Sequence, residues 1–428
     1  MKAVRSVLLR PVGYVSFVGL AVTAAAWVVP DSEGANQTSA ERNQYKLEFE
    51  VTPDIAAAGA HVELRLSQTR RQLRKLTMRF DPQRIQDVRG DGGLRIDGDV
   101  LTWVPDQRGG SLKWFATLRH QRGSKNYDAY LDTDWAVFRG EDIVPRASTR
   151  TVKDATSETW LSFRLPVGWS STTHYFGKDD RYRVNNPERR FDLPAGWFAL
   201  GKLGVRYEAI GKTRVKVAGP LGHGIRRMDT LAFLHWTLPE FQQLLPSFPK
   251  RITIISAAAP MWRGGLSGPR SLFIHADLPL MSENSTSTLL HEIFHVAFAP
   301  YQPEQADWII EGLSEYYGIM ILSRTGGISD KRLKQALDFQ AEWGKTTTSL
   351  CTGDSSGAIT ARAVTVLAML DDEIRRETRN GHSLDDVTRD LASSDAEVTL
   401  DSLRRSAAKL IGTAPESLSA KSLPGCEA

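Results

Sequence analysis

The sequence predicts an α+β chain of more than one unit: an antiparallel β domain first, then a mainly α-helical domain. Three observations carry this. At 428 residues the chain exceeds what one ordinary core spans. Between about residues 45 and 220, short stretches of alternating apolar and polar residues are separated by turn signals such as Gly-Asp-Gly-Gly. Beyond residue 225 the apolar spacing switches to the helical period. Hydrophobic residues at 41% and charged residues at 24% are those of a folded globular protein.

The first thirty residues stand apart. Lys2, Arg5 and Arg10 precede an uncharged stretch from Val12 to Val29, and Ala24-Ala25-Ala26 offers a small-residue cleavage site. That is the layout of a secretory signal peptide. Cleavage there leaves an apolar region of about eleven residues, short for a membrane span; left uncleaved, the whole stretch reads as an N-terminal membrane anchor. Both readings make the protein exported, periplasmic or secreted. Without the three leading cations the formal charge drops from +4 to about +1. No dense Lys/Arg run appears, so nucleic-acid binding has little electrostatic support. Residues 31–42 are small and polar and read as a linker.

The β-rich domain is expected over residues 43–222. Its strands are YKLEFEVTP, HVELRLS, LRIDGDVLTWVP, LKWFATLRH, TWLSFRLP, WFALGKLGVRYEAI and TRVKVAGP. The second domain, residues 223–428, begins with an amphipathic helix over Met228–Leu245. A small β element follows, from RITIISA (251–257) and SLFIHADL (271–278). Helical patterns then run over 285–299, 307–324, 330–343, 358–379, 383–392 and 399–411. The two cysteines, Cys351 and Cys426, suggest one disulfide tying the C-terminal tail to the body in an oxidising compartment.

The chemistry concentrates in STLLHEIFHVAFAP, residues Ser287 to Pro300. His291 and His295 lie four apart, hence on one helix face one turn apart. Leu289, Leu290, Ile293, Phe294, Val296 and Phe298 surround them, so the helix is buried. A buried Glu292 needs a physical reason, and a zinc ion supplies one: two neutral imidazoles as ligands and an adjacent carboxylate to take a proton from an activated water. Chance produces His-Glu-x-x-His in about one chain in a hundred of this composition. Thirteen residues after His295 begins the apolar stretch WIIEGLSEYY, Trp308 to Tyr317, in which Glu311 and Glu315 again share a face. Glu311 reads as the third ligand. Glu315, one turn on, is placed to accept a hydrogen bond from a ligand histidine.

These segments together resemble the gluzincin metallopeptidases, and within them the glycyl aminopeptidase family. LAMLDDEIRRETRNGHSLDDVTRDL (Leu367–Leu391) is similar to that family's helix and following Ser-Leu-Asp-Asp-Val stretch, and GGLSG (Gly264–Gly268) stands where it has a Gly-Gly-Leu segment. The resemblance implies one zinc ion on His291, His295 and Glu311, with Glu292 as general base. It also implies peptide or protein substrates, bound along Gly264, Gly265 and Leu266 by strand addition.

Three departures mark this chain. Ser267 and Gly268 replace the family's Glu-His, removing a carboxylate suited to a substrate amino group. Thr360, Arg362 and Ala363 fall on its Tyr-x-Lys-Gly step, so the oxyanion-stabilising tyrosine is missing from that position. No segment matches the PDZ domain that many relatives carry. Arg362 could supply charge in the tyrosine's place or be a plain helix-face cation; Tyr301, Tyr316 and Tyr317 are other hydroxyl donors, or core residues. His275 reads as a satisfied structural histidine, with substrate contact as the alternative, and His223 as a loop residue. Two functions stay open: a zinc peptidase, as aminopeptidase or endopeptidase, and a catalytically weak exported homologue that binds peptides or a protein partner.

Overall fold

The computed structural model describes residues 43–423 and 426, apart from 187–190, 299, 301–302, 352, 354 and 395. The expected signal segment and linker, and Tyr301, lie outside the described residues.

The N-terminal half is β-rich, as its alternation predicts. Along Gln44–Asp54, Tyr45, Leu47, Phe49 and Val51 are buried while Lys46 and Glu48 face solvent. This strand sits inside a seven-stranded sheet, whose pairing is antiparallel except for one parallel pair between Gln44–Asp54 and Thr156–Phe163. A four-stranded sheet (Leu73–Arg79, Gly93–Asp97, Val100–Val104, Ala147–Thr151) and a five-stranded one complete the half. The five-stranded sheet pairs Trp135–Arg139 antiparallel with Trp197–Gly201. Phe138, Phe163 and Phe198 meet edge to face in the shared core.

The second half is built on another five-stranded sheet: β1 (Leu203–Ile210), β2 (Thr213–Pro220), β3 (Arg251–Ala257), β4 (Gly265–Gly268) and β5 (Ser271–His275), in the order β1-β2-β3-β5-β4. The boundary expected at 222/223 runs through this unit, because β1 and β2 belong to the same sheet as β3 to β5. The reason is topological. β2 and β3 pair in parallel, which requires a crossover, and α1 (Arg227–Leu244) is that crossover. Val215 and Val217 of β2, Ile252 and Ile254 of β3 and Leu272 of β5 pack into the helical core.

Among the described residues six further α-helices follow: α2 (Thr288–Ala297), α3 (Asp307–Arg324), α4 (Asp330–Gly344), α5 (Ala358–Glu377), α6 (Leu384–Ala392) and α7 (Leu400–Ile411). Each matches an expected helical stretch to within a few residues. Ser287 caps α2 by accepting the Leu290 N–H, and Ser329 caps α4 by accepting from Arg332. α3 and α5 approach at Gly312, where a Cβ would lie 2.6 Å from the Ala363 Cβ. The Cys351–Cys426 disulfide is formed, closing a 75-residue separation and holding the tail to the segment after α4.

The two halves are stitched together. Tyr127 pairs with Met261, the Trp197 N–H donates to Ser271 Oγ at 2.9 Å, and Trp197 packs on Phe273 with ring centroids 5.1 Å apart. Those contacts hold β4, the edge strand carrying GGLSG, against its neighbour β5.

Candidate metal centre

α2 and α3 cross so that their polar residues meet inside an apolar shell. They meet where Gly318 of α3 lies against the Ser287 carbonyl and the His291 amide of the histidine helix. Phe294 stacks on Tyr317 with centroids 5.5 Å apart, fixing the rotation of one helix against the other. Tyr317 donates to Asp385 at 3.1 Å, and Arg324 grips the same carboxylate through two bonds of 2.8 and 2.9 Å. Tyr316 donates to Asp371 at 3.0 Å, and Asp371 also accepts the Leu384 N–H. The two tyrosine hydroxyls are thus engaged with buried carboxylates of α5 and α6. Core anchoring is their role.

At the crossing, His291 Nε2 and His295 Nε2 stand 3.1 Å apart. Glu311 reaches both, its Oε2 at 3.3 Å from His291 Nε2 and its Oε1 at 3.2 Å from His295 Nε2. The three residues can each aim one ligand atom at a common point, all within 4.8 Å of one another. The donor set of two imidazoles and one carboxylate fits a zinc ion with an open position. The far nitrogen of His291, Nδ1, lies 3.1 Å from Glu315 Oε2, which leaves Nε2 to face the cluster. Glu315 in turn accepts from Gln340 of α4 at 3.4 Å.

Charges are finely opposed here. Burial disfavours the His291 imidazolium, but hydrogen bonds to Glu311 and Glu315 outweigh it and push its pKa up to about 10. Burial likewise disfavours the Glu311 carboxylate, yet the two histidines bring its pKa down to about 2. Those values describe the cluster without an ion, in which carboxylate and imidazole neutralise each other. Glu292 is buried, and desolvation raises its pKa against the opposing pull of His291 and His295. A raised carboxylate pKa suits proton exchange near neutral pH.

GGLSG runs beside Glu292. Gly265 approaches so closely that a Cβ would stand 2.6 Å from Glu292 Cγ and 2.8 Å from its Oε1. Among the described residues β4 has a strand, β5, on one side only, so its other side is a sheet edge. Gly264 precedes the strand, and Leu266 faces Phe273 across the ladder. Thr360 lies in the first turn of α5, one turn before Ala363, on the face that α5 turns toward Gly312. Arg362 is not brought to the cluster. It lines a separate cleft with Lys345, Thr365, Met369 and Arg376, because it lies on the other side of α5. His275 accepts the Asp277 N–H at Nδ1 and is buried at the end of β5; His223 accepts the Ala258 N–H and packs edge-on against Trp135.

Gln340 was not signalled as a site residue by any motif. Its spacing from Ala336 and Leu333 puts it on the buried stripe of α4, where a polar side chain requires a partner. That partner is Glu315.

No protein-family model matches the sequence, and no curated protein matches it. Solved structures do. An aminopeptidase N family protein from Idiomarina loihiensis superposes with a TM-score of 0.64 at 15% identity, over 89% of this chain and 76% of its own. An M1 zinc metallopeptidase from Deinococcus radiodurans gives 0.56 at 13%, over 88% and 93%. A variant of that enzyme bound to a Tyr-Ser-Ala substrate gives 0.57 at 12%, over 90% and 95%. The fold is therefore that of the M1 zinc aminopeptidases: a β-rich N-terminal domain followed by a helical unit.

Proposed function

We propose that this chain is an exported zinc-dependent peptidase of the gluzincin type, with His291, His295 and Glu311 as ligands and Glu292 as general base. One observation carries the reading: the three ligand atoms converge at the α2–α3 crossing while the buried Glu292 is pressed between that helix and the edge strand β4. The zinc ion, when bound, supplies Lewis acidity to the scissile carbonyl and to the attacking water. Glu292 takes the proton of that water and hands it to the leaving amine nitrogen. The free edge of β4 pairs with the peptide backbone as an added strand. Glu315 keeps the His291 ring in place.

The M1 fold and the peptide substrate of the Deinococcus radiodurans variant support peptides as the substrate class. The glycyl aminopeptidase resemblance suggests action at a free N-terminus, although Ser267 offers no carboxylate to hold an amino group. The disulfide accords with an oxidising, exported location. Among the described residues no helix is long and apolar enough to cross a membrane.

The test is mass spectrometry of a defined peptide mixture incubated with the zinc-loaded protein, beside Glu292→Gln. Cleavage by the unaltered protein alone establishes a peptidase, and the new termini distinguish trimming of single N-terminal residues from internal cleavage. Failure of both to cleave, each holding one zinc ion, favours the second reading, a peptide-binding homologue. That reading draws on Thr360 at the tyrosine position and on the engagement of Tyr316 and Tyr317 elsewhere.

A further inference from the structure

The face of the β1–β5 sheet opposite the helical core carries a feature that hydrolysis does not use. Strand alternation sends Val215, Val217, Ile252 and Ile254 toward α1. The same alternation sends Arg214 and Lys216 of β2 the other way, with Arg251 and Thr253, their register partners on β3. These residues meet the edge strand Phe176–Lys178 of the seven-stranded sheet across a cavity of about 190 Å³. His174 contributes to the wall. It is 5% exposed, and among the described residues neither ring nitrogen has a hydrogen-bond partner.

Buried polar atoms are nearly always satisfied, so two orphaned nitrogens on a ring that borders a cavity call for a partner. The surrounding charge says which kind. Among the described residues no carboxylate lines the cavity, and Arg214, Lys216 and Arg251 have no ion-pair partner. Lys216 Nζ donates to Thr172 Oγ1 at 3.2 Å and to the Thr173 carbonyl at 2.9 Å, leaving one N–H without an acceptor among the described residues. Burial, aided by Arg251, brings its pKa down to about 8. Three cations gathered at a partly dry cavity repel one another unless an anion joins them. Phe176 and Tyr207, 71% and 72% exposed, stand at the rim, with the Arg251 guanidinium 5.7 Å over the Phe176 ring.

We infer that this cavity, between the β domain and the sheet of the second unit, is a binding site for a phosphate group, free or as a monoester whose flat substituent rests on Phe176 and Tyr207. Arg214 and Arg251 reach the oxygens from the open side, Lys216 from below, and His174 donates from the floor. A doubly charged oxyanion answers three unpaired cations better than a single carboxylate does.

The experiment is calorimetric titration of the zinc-loaded protein with sodium phosphate at constant ionic strength, then with phenyl phosphate. Saturable binding is expected for both, tighter for phenyl phosphate if the rim takes part and equal if free phosphate is the ligand. Arg214→Gln/Arg251→Gln alters two exposed side chains and so preserves the fold. It weakens binding by about tenfold for each guanidinium removed. Lys216→Met weakens it further, and His295→Ala, which disables the metal centre, leaves it intact. Absence of saturation up to tens of millimolar overturns the inference. So does equal affinity in the double variant, or loss of binding in His295→Ala, which places the phosphate at the metal.

Discussion

His291 Nδ1 and Glu315 Oε2 lie 3.1 Å apart, joining α2 to α3 through the one imidazole nitrogen that does not face the metal centre. The bond fixes the ring's tautomer and its rotation about χ2. Removing such a carboxylate behind a ligand histidine typically weakens metal binding by about 10- to 100-fold. Glu315→Ala is therefore expected to lower zinc affinity in that range, read by competition with a chromophoric chelator. Glu315→Gln keeps an acceptor oxygen and is expected to lose less.

Gly265 is the point where the edge strand touches the general base. A methyl group there would stand 2.6 Å from Glu292 Cγ, a separation no real Cβ contact sustains. Gly265→Ala must displace the Glu292 carboxylate or push β4 outward. Misplacement of a catalytic group by about 1 Å costs about 10²-fold in rate. Peptide hydrolysis is expected to fall by that order while one zinc ion per chain is retained, so a variant with full turnover would detach Glu292 from the chemistry.

The sequence made the centre legible because it puts polar residues where helix periodicity leaves only apolar neighbours. His291 and His295, then Glu311 and Glu315, each repeat at four residues on a buried helix, and the structure brings the two pairs face to face. The helices were equally readable from their period. Strand pairing was not. Trp135–Arg139 is buried on both faces, so it shows no alternation, and local pattern could not reveal that 203–220 joins 251–275 in one sheet. Arg362 stayed open between two readings for a related reason: a lone cation on a helix carries no information about which neighbour its face meets.

Asp385 of α6 accepts three bonds from two partners, one from Tyr317 and one from each arm of Arg324. The carboxylate is 18% exposed and the guanidinium 24%. Deleting one member of a largely buried pair strands the other, at a cost of about 3 kcal/mol. Asp385→Ala is expected to reduce unfolding free energy by about that amount in urea. Because Tyr317 stacks on Phe294 of the histidine helix, zinc affinity should decline as well. Unchanged stability would mean that Arg324 and Tyr317 find water instead.

His174 gives the molecule an acid-sensitive point away from the metal. Burial drives its pKa well below 6.5, and the charges that face it, Arg270, Lys216 and Arg251, lower it further. The folded form thus holds the imidazole neutral where the unfolded chain would protonate it. The sign follows from proton counting: below pH 6.5 the unfolded state binds more protons, so stability declines as pH falls toward the folded-state pKa. One group contributes up to about 1.4 kcal/mol per pH unit in that window. Urea unfolding at pH 7, 6 and 5 should show the decline in the native protein and a shallower one in His174→Gln, which cannot titrate. Phosphate, if it occupies the adjoining cavity, should shrink the difference by offsetting the three cations, whereas an identical slope in both proteins would remove His174 from the acid response.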